Sequence, residues 1–161
     1  MSEKNFFDFS LKSLKLFLNK NLEIEEKKIS MRSKQIWQSV YKKGSFEINN
    51  LTTFPLELRN KLKDTISLQR PKITKTQTSS DGTIKWLIKL FDDNEVECVY
   101  IPEKTRATLC ISSQVGCTLN CRFCHTGTQR LVKNLSFAEI VNQVMIAKEQ
   151  LNDWDEKKKN N

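Results

Sequence analysis

The sequence predicts an α+β fold that is followed by the start of an α/β fold. Apolar residues recur at helical spacing as far as residue 70, apolar and polar residues then alternate through 71–102, and a strand, a loop and a helix follow in 103–161. We therefore expect a small amino-terminal helical domain in 1–70, a short antiparallel β connector in 71–102, and the first β/α unit of an incomplete barrel in 103–161.

The helical domain is predicted to contain three short helices. The first is expected at 11–20 and the second at 31–43, with Gly44 just beyond it as a stop signal. The third is expected to begin after Thr53, its predicted N-cap, and to continue through Ile66. The residues predicted to be buried share helical spacing: Leu11, Leu14, Phe17, Leu18, Ile36, Trp37, Val40, Tyr41, Leu58 and Leu62.

The β connector is predicted from side chains that alternate along its strands. Residues 83–91 place apolar side chains at every second position, and the tight-turn signal at 81–82 makes 72–79 the expected hairpin partner. A further strand is expected at 95–101. On that strand, Cys98 alternates with apolar neighbours and is interpreted as a small buried hydrophobic residue.

The last segment is predicted to form a strand, a loop and a helix. Residues 107–113 form an apolar run that is typical of a buried strand. Ser136 and Glu139 have the spacing of a capping box, which opens the predicted helix. Its predicted buried residues are Phe137, Ile140, Val141 and Val144.

The chain is basic: its 161 residues carry a net charge of +8, from 27 Lys and Arg against 19 Asp and Glu. This excess favours a polyanionic partner, with nucleic acid ahead of a membrane surface, although a solvated lysine-rich surface explains it equally well. No stretch is apolar enough to span a membrane, so we expect a cytoplasmic protein with no membrane partner. The candidates for a surface that faces nucleic acid lie on the polar faces of the predicted helical domain: Lys34, Lys42, Lys43, Arg59, Lys61 and Lys63.

Three of the five cysteines follow the spacing C-x3-C-x2-C, at Cys117, Cys121 and Cys124. Thiolates at this spacing can converge on one metal centre and select an iron–sulfur cluster, zinc or cuprous ion. Three ligands in place of four leave one metal position open for a substrate. The alternative is a zinc site completed by His125, although adjacent ligands rarely point at one ion.

The cysteine motif, with Phe123 before its last cysteine, resembles the cluster loop of the radical S-adenosylmethionine enzymes. Residues 97–103, 106–117, 125–129 and 134–136 narrow the resemblance to the RNA adenine carbon-2 methyltransferases of the RlmN type. Weaker similarity reaches back to about residue 10.

This resemblance implies that Cys117, Cys121 and Cys124 hold a 4Fe-4S cluster and that S-adenosyl-L-methionine binds its open iron. It also implies an electron donor that reduces the cluster. The implied substrates are 23S ribosomal RNA and transfer RNA.

The resemblance further implies catalytic roles for Glu97 and Cys110. Glu97 matches the family's proposed acceptor of the adenine carbon-2 proton. From the residues alone it is either an edge charge that points to water or a desolvated carboxyl group. Cys110 matches the cysteine that resolves an RNA–protein adduct through a transient disulfide bond with a carboxy-terminal cysteine. From the residues alone, an ordinary core thiol fits equally well.

Enzymes of this type continue for roughly another domain, which carries the glycine-rich S-adenosylmethionine segment and the methyl-carrying cysteine. We therefore expect this chain to be the amino-terminal part of such an enzyme and to be unable to methylate RNA on its own. We also expect it to be monomeric. Residues 1–70 are then an RNA-binding accessory domain, and 103–161 the start of a truncated radical S-adenosylmethionine core domain. The alternative is a non-catalytic fragment that binds RNA or a metal.

Overall fold

The structure, a computed structural model, describes residues 4–22, 24–118 and 129–154. These residues form two compact units. The first unit comprises the described chain up to Arg70 together with the residues from Lys148 onward, and the second unit is Pro71–Ala147. No helix within the described ranges is both long enough and apolar enough to cross a lipid bilayer.

The described elements are four α-helices, eight strands and two short 3-10 helices, Phe6–Asp8 and Ile48–Asn50. The helices are α1 (Leu11–Asn21), α2 (Glu26–Tyr41), α3 (Leu56–Lys63) and α4 (Phe137–Gln150). The strands are β1 (Lys4–Asn5), β2 (Ile66–Ser67), β3 (Lys72–Thr78), β4 (Ile84–Lys89), β5 (Glu95–Pro102), β6 (Ala107–Cys110), β7 (Gln114–Val115) and β8 (Lys133–Asn134).

The first unit is built around α1 and α2. Helix α1 begins with a capping box, in which the Ser13 amide donates to Ser10 Oγ (3.1 Å) and the Ser10 amide donates to Ser13 Oγ (2.8 Å). Its residues Leu14 and Leu18 are buried, as predicted, whereas the predicted burial of Leu11 is wrong, because Leu11 is 37% exposed at the first position of the helix. The short strands β1 and β2 pair in parallel and complete the unit. The other buried apolar residues of the helices and of the turns between them are Leu22, Ile29, Ile36, Val40, Ile48, Leu51, Phe54 and Leu62.

Two predicted helix boundaries are wrong. Helix α2 begins at Glu26, five residues before the predicted start, because Ile29 extends its buried stripe by two turns beyond Ile36. Helix α3 ends at Lys63, since Ile66 is buried by strand pairing with Lys4 rather than by helical packing. Thr53 does not cap α3, whose first residue follows Pro55 and has no side-chain cap.

The second unit contains an antiparallel sheet with strand order β3-β4-β5-β6. The predicted hairpins are confirmed, and Gly82 supplies a positive φ of +84° in the first turn. One sheet face is buried by the cross-strand pairs Trp86–Cys98 and Ile88–Val96. The Cys98 side chain is fully buried there, which confirms its interpretation as a small core residue.

The carboxy-terminal strand and helix differ from their predictions. Strand β6 covers only 107–110, pairs antiparallel with β5 and has three exposed residues, so the prediction of a buried strand is wrong. The capping box of α4 is confirmed by hydrogen bonds of 2.7 and 3.2 Å between Ser136 and Glu139. The prediction of which face of α4 is buried is wrong, because Phe137 is 63% exposed and Val144 is 36% exposed.

The buried face of α4 is set by a polar residue. The Gln143 side chain accepts a hydrogen bond from the Ser112 amide (2.8 Å) and donates one to the Ser112 carbonyl (2.8 Å). A buried amide with both groups paired is stable, so the helix turns Gln143 inward. The remaining buried residues of α4 are Ala138, Asn142, Met145, Ile146 and Ala147.

The chain leaves and re-enters the first unit beside a buried arginine. Arg70 has a side chain only 6% exposed, and it donates to Glu149 at 2.9 Å and to the Gly44 carbonyl at 3.3 Å. Its guanidinium also lies 5.7 Å from the Trp154 ring. Burial lowers the pKa of the Arg70 guanidinium, and the charge of Glu149 opposes that shift. These contacts offset part of the cost of burying the charge.

We predict that Gly44→Ala destabilises the protein by about 2–4 kcal/mol, since a positive φ costs an L-residue about 1–2 kcal/mol and steric overlap adds to it. Gly44 has a φ of +73°, and a Cβ there would lie 2.4 Å from the Trp154 ring. Gly82→Ala is the matched control, because its φ is similar but its nearest atom, on Pro102, is 3.2 Å away. Urea unfolding followed by circular dichroism measures both, and an equal loss in the two variants would contradict the packing argument.

Candidate functional site

The first predicted cluster ligand, Cys117, is half-buried at the start of the cysteine loop. The other two, Cys121 and Cys124, and the alternative ligand His125 lie outside the described residues. Within the described ranges, no group of three His, Cys, Asp or Glu side chains is arranged to hold a metal ion. The structure therefore shows how the loop begins and ends.

The two ends of the cysteine loop are joined by a short two-stranded segment, residues 113–117 and 129–135, which we call the loop base. Its strands β7 and β8 pair antiparallel, and the Cys117 amide donates to the Gln129 carbonyl at 3.1 Å. The Gln114 side chain donates to that of Asn134 at 2.7 Å. These bonds hold Cys117 close to the point where the chain leaves the loop.

A glycine allows this close approach. Gly116 has a φ of +77°, and a Cβ at that position would lie 2.1 Å from the Arg130 carbonyl oxygen. No other residue type fits both the dihedral angle and the space. The residue directly before the first cysteine therefore determines the geometry of the loop base.

A lysine attaches the loop base to its surroundings in the second unit. Lys133 Nζ contacts the carboxylate of Asp92 and lies 2.6 Å from Glu139 Oε1. Hydrogen bonding from Lys133 lowers the pKa of the Asp92 carboxyl group. Since Glu139 is also the capping-box residue of α4, this contact links the loop base to the start of that helix.

The structure places the two predicted catalytic residues on one face of the sheet. Cys110 is paired with Val99, and residues paired directly across an antiparallel ladder share a face. Glu97 lies two residues from Val99 on the same strand and so points to that face as well. Cys110 is exposed, so the alternative of an ordinary core thiol does not describe its position.

Glu97 has a charged partner that the sequence motifs did not indicate. Lys85 Nζ lies 3.0 Å from Glu97 Oε1, and the two side chains are 42% and 47% exposed. Lys85 is paired with Val99 on β5, so Lys85 and Cys110 flank the same residue. The register of the hairpin is the signal that could have identified Lys85, because it places the lysine diagonally across from Glu97.

The two cysteines of the sheet differ in chemical accessibility. Cys98 points to the buried face, where desolvation, with a smaller contribution from Cys110, raises the pKa of its thiol to about 11. Cys110 is exposed on the opposite face. Only the thiolate form is a nucleophile, so Cys98 is chemically silent and Cys110 is available for thiol exchange.

Comparison with known proteins identifies similar sequences. The chain is 53% identical over 130 residues to the dual-specificity RNA methyltransferase RlmN of Rhodopseudomonas palustris (strain BisB5), which covers 77% of this chain and 33% of that protein. It is 49% identical over 140 residues to the protein of the same name from Bradyrhizobium sp. (strain ORS 278), covering 83% of this chain and 35% of that protein. The chain thus spans about a third of the length of the curated relatives it matches, in their amino-terminal part.

A solved structure has a similar fold. The crystal structure of a radical SAM methyltransferase from Sphaerobacter thermophilus matches 93% of this chain and 43% of its own chain, with a TM-score of 0.81 and 29% sequence identity. No family model matches the chain. The predicted mixed fold, with its small antiparallel sheet, is confirmed at the level of a partial radical SAM methyltransferase fold.

We predict that iodoacetamide modifies Cys110 in the folded protein and leaves Cys98 unmodified until the chain unfolds. The reason is that Cys98 is fully buried with a pKa raised to about 11, whereas Cys110 is exposed. Mass spectrometry of proteolytic peptides measures both sites, with a guanidinium-denatured sample as the control in which both react. Equal labelling of the two thiols in the folded protein would show that this sheet register is incorrect.

Proposed function

Because this chain is a homologue of the amino-terminal part of the RlmN-type radical S-adenosylmethionine RNA methyltransferases, we propose that it contributes to an enzyme that methylates carbon-2 of an adenine in 23S ribosomal RNA and in transfer RNA. The observation that carries this proposal is the shared exposed face of Glu97 and Cys110, in the same unit as a closed loop base that presents Cys117. We infer a cytoplasmic location from these RNA substrates.

The cysteine motif fits a 4Fe-4S cluster. Cys117 is held by the loop base, and the motif supplies two further thiolates, Cys121 and Cys124, within the next seven residues. Three thiolates leave one iron for the amino and carboxylate groups of S-adenosyl-L-methionine. When bound and reduced by an electron donor, the cluster supplies the electron that cleaves S-adenosyl-L-methionine.

Glu97 is proposed to accept the carbon-2 proton of the adenine. Proton transfer needs an ionised carboxylate within hydrogen-bond reach of the substrate, and an exposed sheet face allows that approach. The ammonium of Lys85 donates a hydrogen bond to the Glu97 carboxylate at 3.0 Å and fixes its orientation. Lys85 is in this proposal a positioning residue.

Cys110 is proposed to release the methylated product. Its thiolate attacks the sulfur of a second cysteine that carries the methyl carbon, so that a disulfide bond forms as the carbon–sulfur bond breaks. The electron pair of the broken bond passes to the RNA-bound carbon, which then takes a proton. The exposed position of Cys110 suits this role, because the second thiol must reach it.

A chimera tests the proposal. We expect this chain, fused to the remaining part of the Bradyrhizobium relative, to bind iron and sulfide and to form 2-methyladenosine in unmodified 23S RNA, detected by mass spectrometry. Cys117→Ala should remove the iron and the activity. Glu97→Gln and Cys110→Ala should keep the iron, and Glu97→Gln should lower the rate by about 10²–10⁴-fold, as the loss of a general base does.

Cys98→Ala is the matched cysteine control for the chimera and should keep both iron and activity, because its side chain is buried on the opposite sheet face. An iron-loaded chimera that forms no 2-methyladenosine, or a fully active Glu97→Gln variant, would contradict the proposal. Zinc in place of iron would support the zinc-site alternative.

We further predict that Gly116→Ala lowers the iron content of the reconstituted chain although every cysteine is retained. The substitution forces a clash with the Arg130 carbonyl and costs about 1–2 kcal/mol in backbone strain alone, so the loop base opens. Iron and sulfide analysis measures the effect, and Gly82→Ala is the control with a similar φ but no backbone clash. Normal iron content in Gly116→Ala would show that the loop base does not position the ligands.

A further inference from the structure

A groove with a volume of about 600 Å³ opens in the first unit beside helix α1. One wall is a stripe of α1 at helical spacing that includes Leu16, Phe17 and Lys20. The rest of the lining includes Phe9, Lys4 of β1 and Thr65, the residue before β2. Its volume lies within the roughly 300–1,000 Å³ of typical small-ligand sites.

The wall of this groove is apolar but does not belong to the buried face of α1. That face consists of Leu14 and Leu18, which are fully buried, whereas Leu16 is 63% exposed. Phe17 packs against Phe9 with ring centroids 5.0 Å apart and an interplanar angle of 53°. An apolar, partly aromatic lining in a concave site is typical of ligand-binding pockets.

The groove is also positively charged. Lys4 Nζ lies 5.7 Å from the centroid of the Phe17 ring, and Lys20 lines the same groove. Helix α1 contains three lysines and no acidic residue. Within the part of the chain that the structure describes, no carboxylate forms an ion pair with Lys4 or Lys20. The ligand should therefore combine a flat apolar part with negative charge.

We propose that this groove binds an unpaired RNA nucleotide, with the base against Phe17 and Leu16 and the adjacent phosphates beside Lys4 and Lys20. Stacking on an aromatic ring requires a base that is free of its duplex partner, and lysines supply the phosphate contacts. The choice of RNA rests on the proposed function, whereas the combination of stacking and phosphate contacts rests on the groove itself. The groove would select RNA that contains an unpaired base.

Fluorescence anisotropy with a labelled single-stranded RNA hexamer, and with the same sequence in a duplex, tests the proposal on the 161-residue chain. The single strand should bind more tightly. Phe17→Leu should weaken its binding about tenfold through lost stacking, and Leu16→Gln should also weaken it. Because Leu16 is 63% exposed, its replacement does not disturb the core, so the test stays valid if Phe17→Leu unfolds.

The charge contribution is tested by the salt dependence of binding. Lys4→Gln and Lys20→Gln should each weaken binding. Each should also reduce the magnitude of the negative slope of log affinity against log salt by about 1. Lys27→Gln, an exposed lysine of α2 outside the groove lining, is the control of equal charge change and should keep the slope.

Equal affinity for duplex and single strand, or unchanged binding by both Phe17→Leu and Leu16→Gln, would overturn the proposal. So would no RNA binding, or preferential binding to phosphatidylglycerol vesicles, which would assign the groove to an anionic lipid surface. The iron content of the chimera and the effects of Cys117→Ala, Glu97→Gln and Cys110→Ala depend on residues outside the groove lining. Failure of this proposal is therefore distinguishable from failure of the proposed function.

Discussion

The register of strands β4, β5 and β6 is the constraint on which the candidate site depends. Trp86, Val96 and Cys98 fill the buried face, so a slip of one residue would move Cys98 to water and Glu97 into the core. Burying an ionised carboxylate without a partner costs several kcal/mol or more. The hydrophobic face therefore fixes the exposed face, and with it the common orientation of Glu97 and Cys110.

Much of the fold could be predicted because hydrophobic spacing and burial agree in most elements. They agree at Leu14 and Leu18 of α1, in both hairpins and at the capping box of α4. They disagree where a polar group is buried with its hydrogen bonds made, as Gln143 is against Ser112. A helix oriented by such a contact exposes apolar residues, and spacing alone then assigns the wrong face, as it did with Phe137.

The parts of the candidate site differ in how far the sequence alone could predict them. The cysteine spacing predicts the proposed cluster ligands, since this prediction requires only the local sequence. Lys85 and Gly116 could not be assigned in this way, because their roles depend on residues paired across strands. Lys85 reaches Glu97 from the neighbouring strand, and Gly116 matters because the Arg130 carbonyl lies against it. Such roles become visible only once the register is known.

The basic residues of the first unit are not equivalent, and this bears on where RNA would be held. On α2 and α3, Lys28 lies 2.8 Å from Glu25, and Lys61 lies 3.4 Å from Glu57. Exposed pairs of this kind contribute at most about 1 kcal/mol and reduce the local positive potential. The solvated-surface interpretation therefore fits such lysines. Helix α1 has no acidic residue and borders an open aromatic groove, so the nucleic-acid interpretation applies most strongly there.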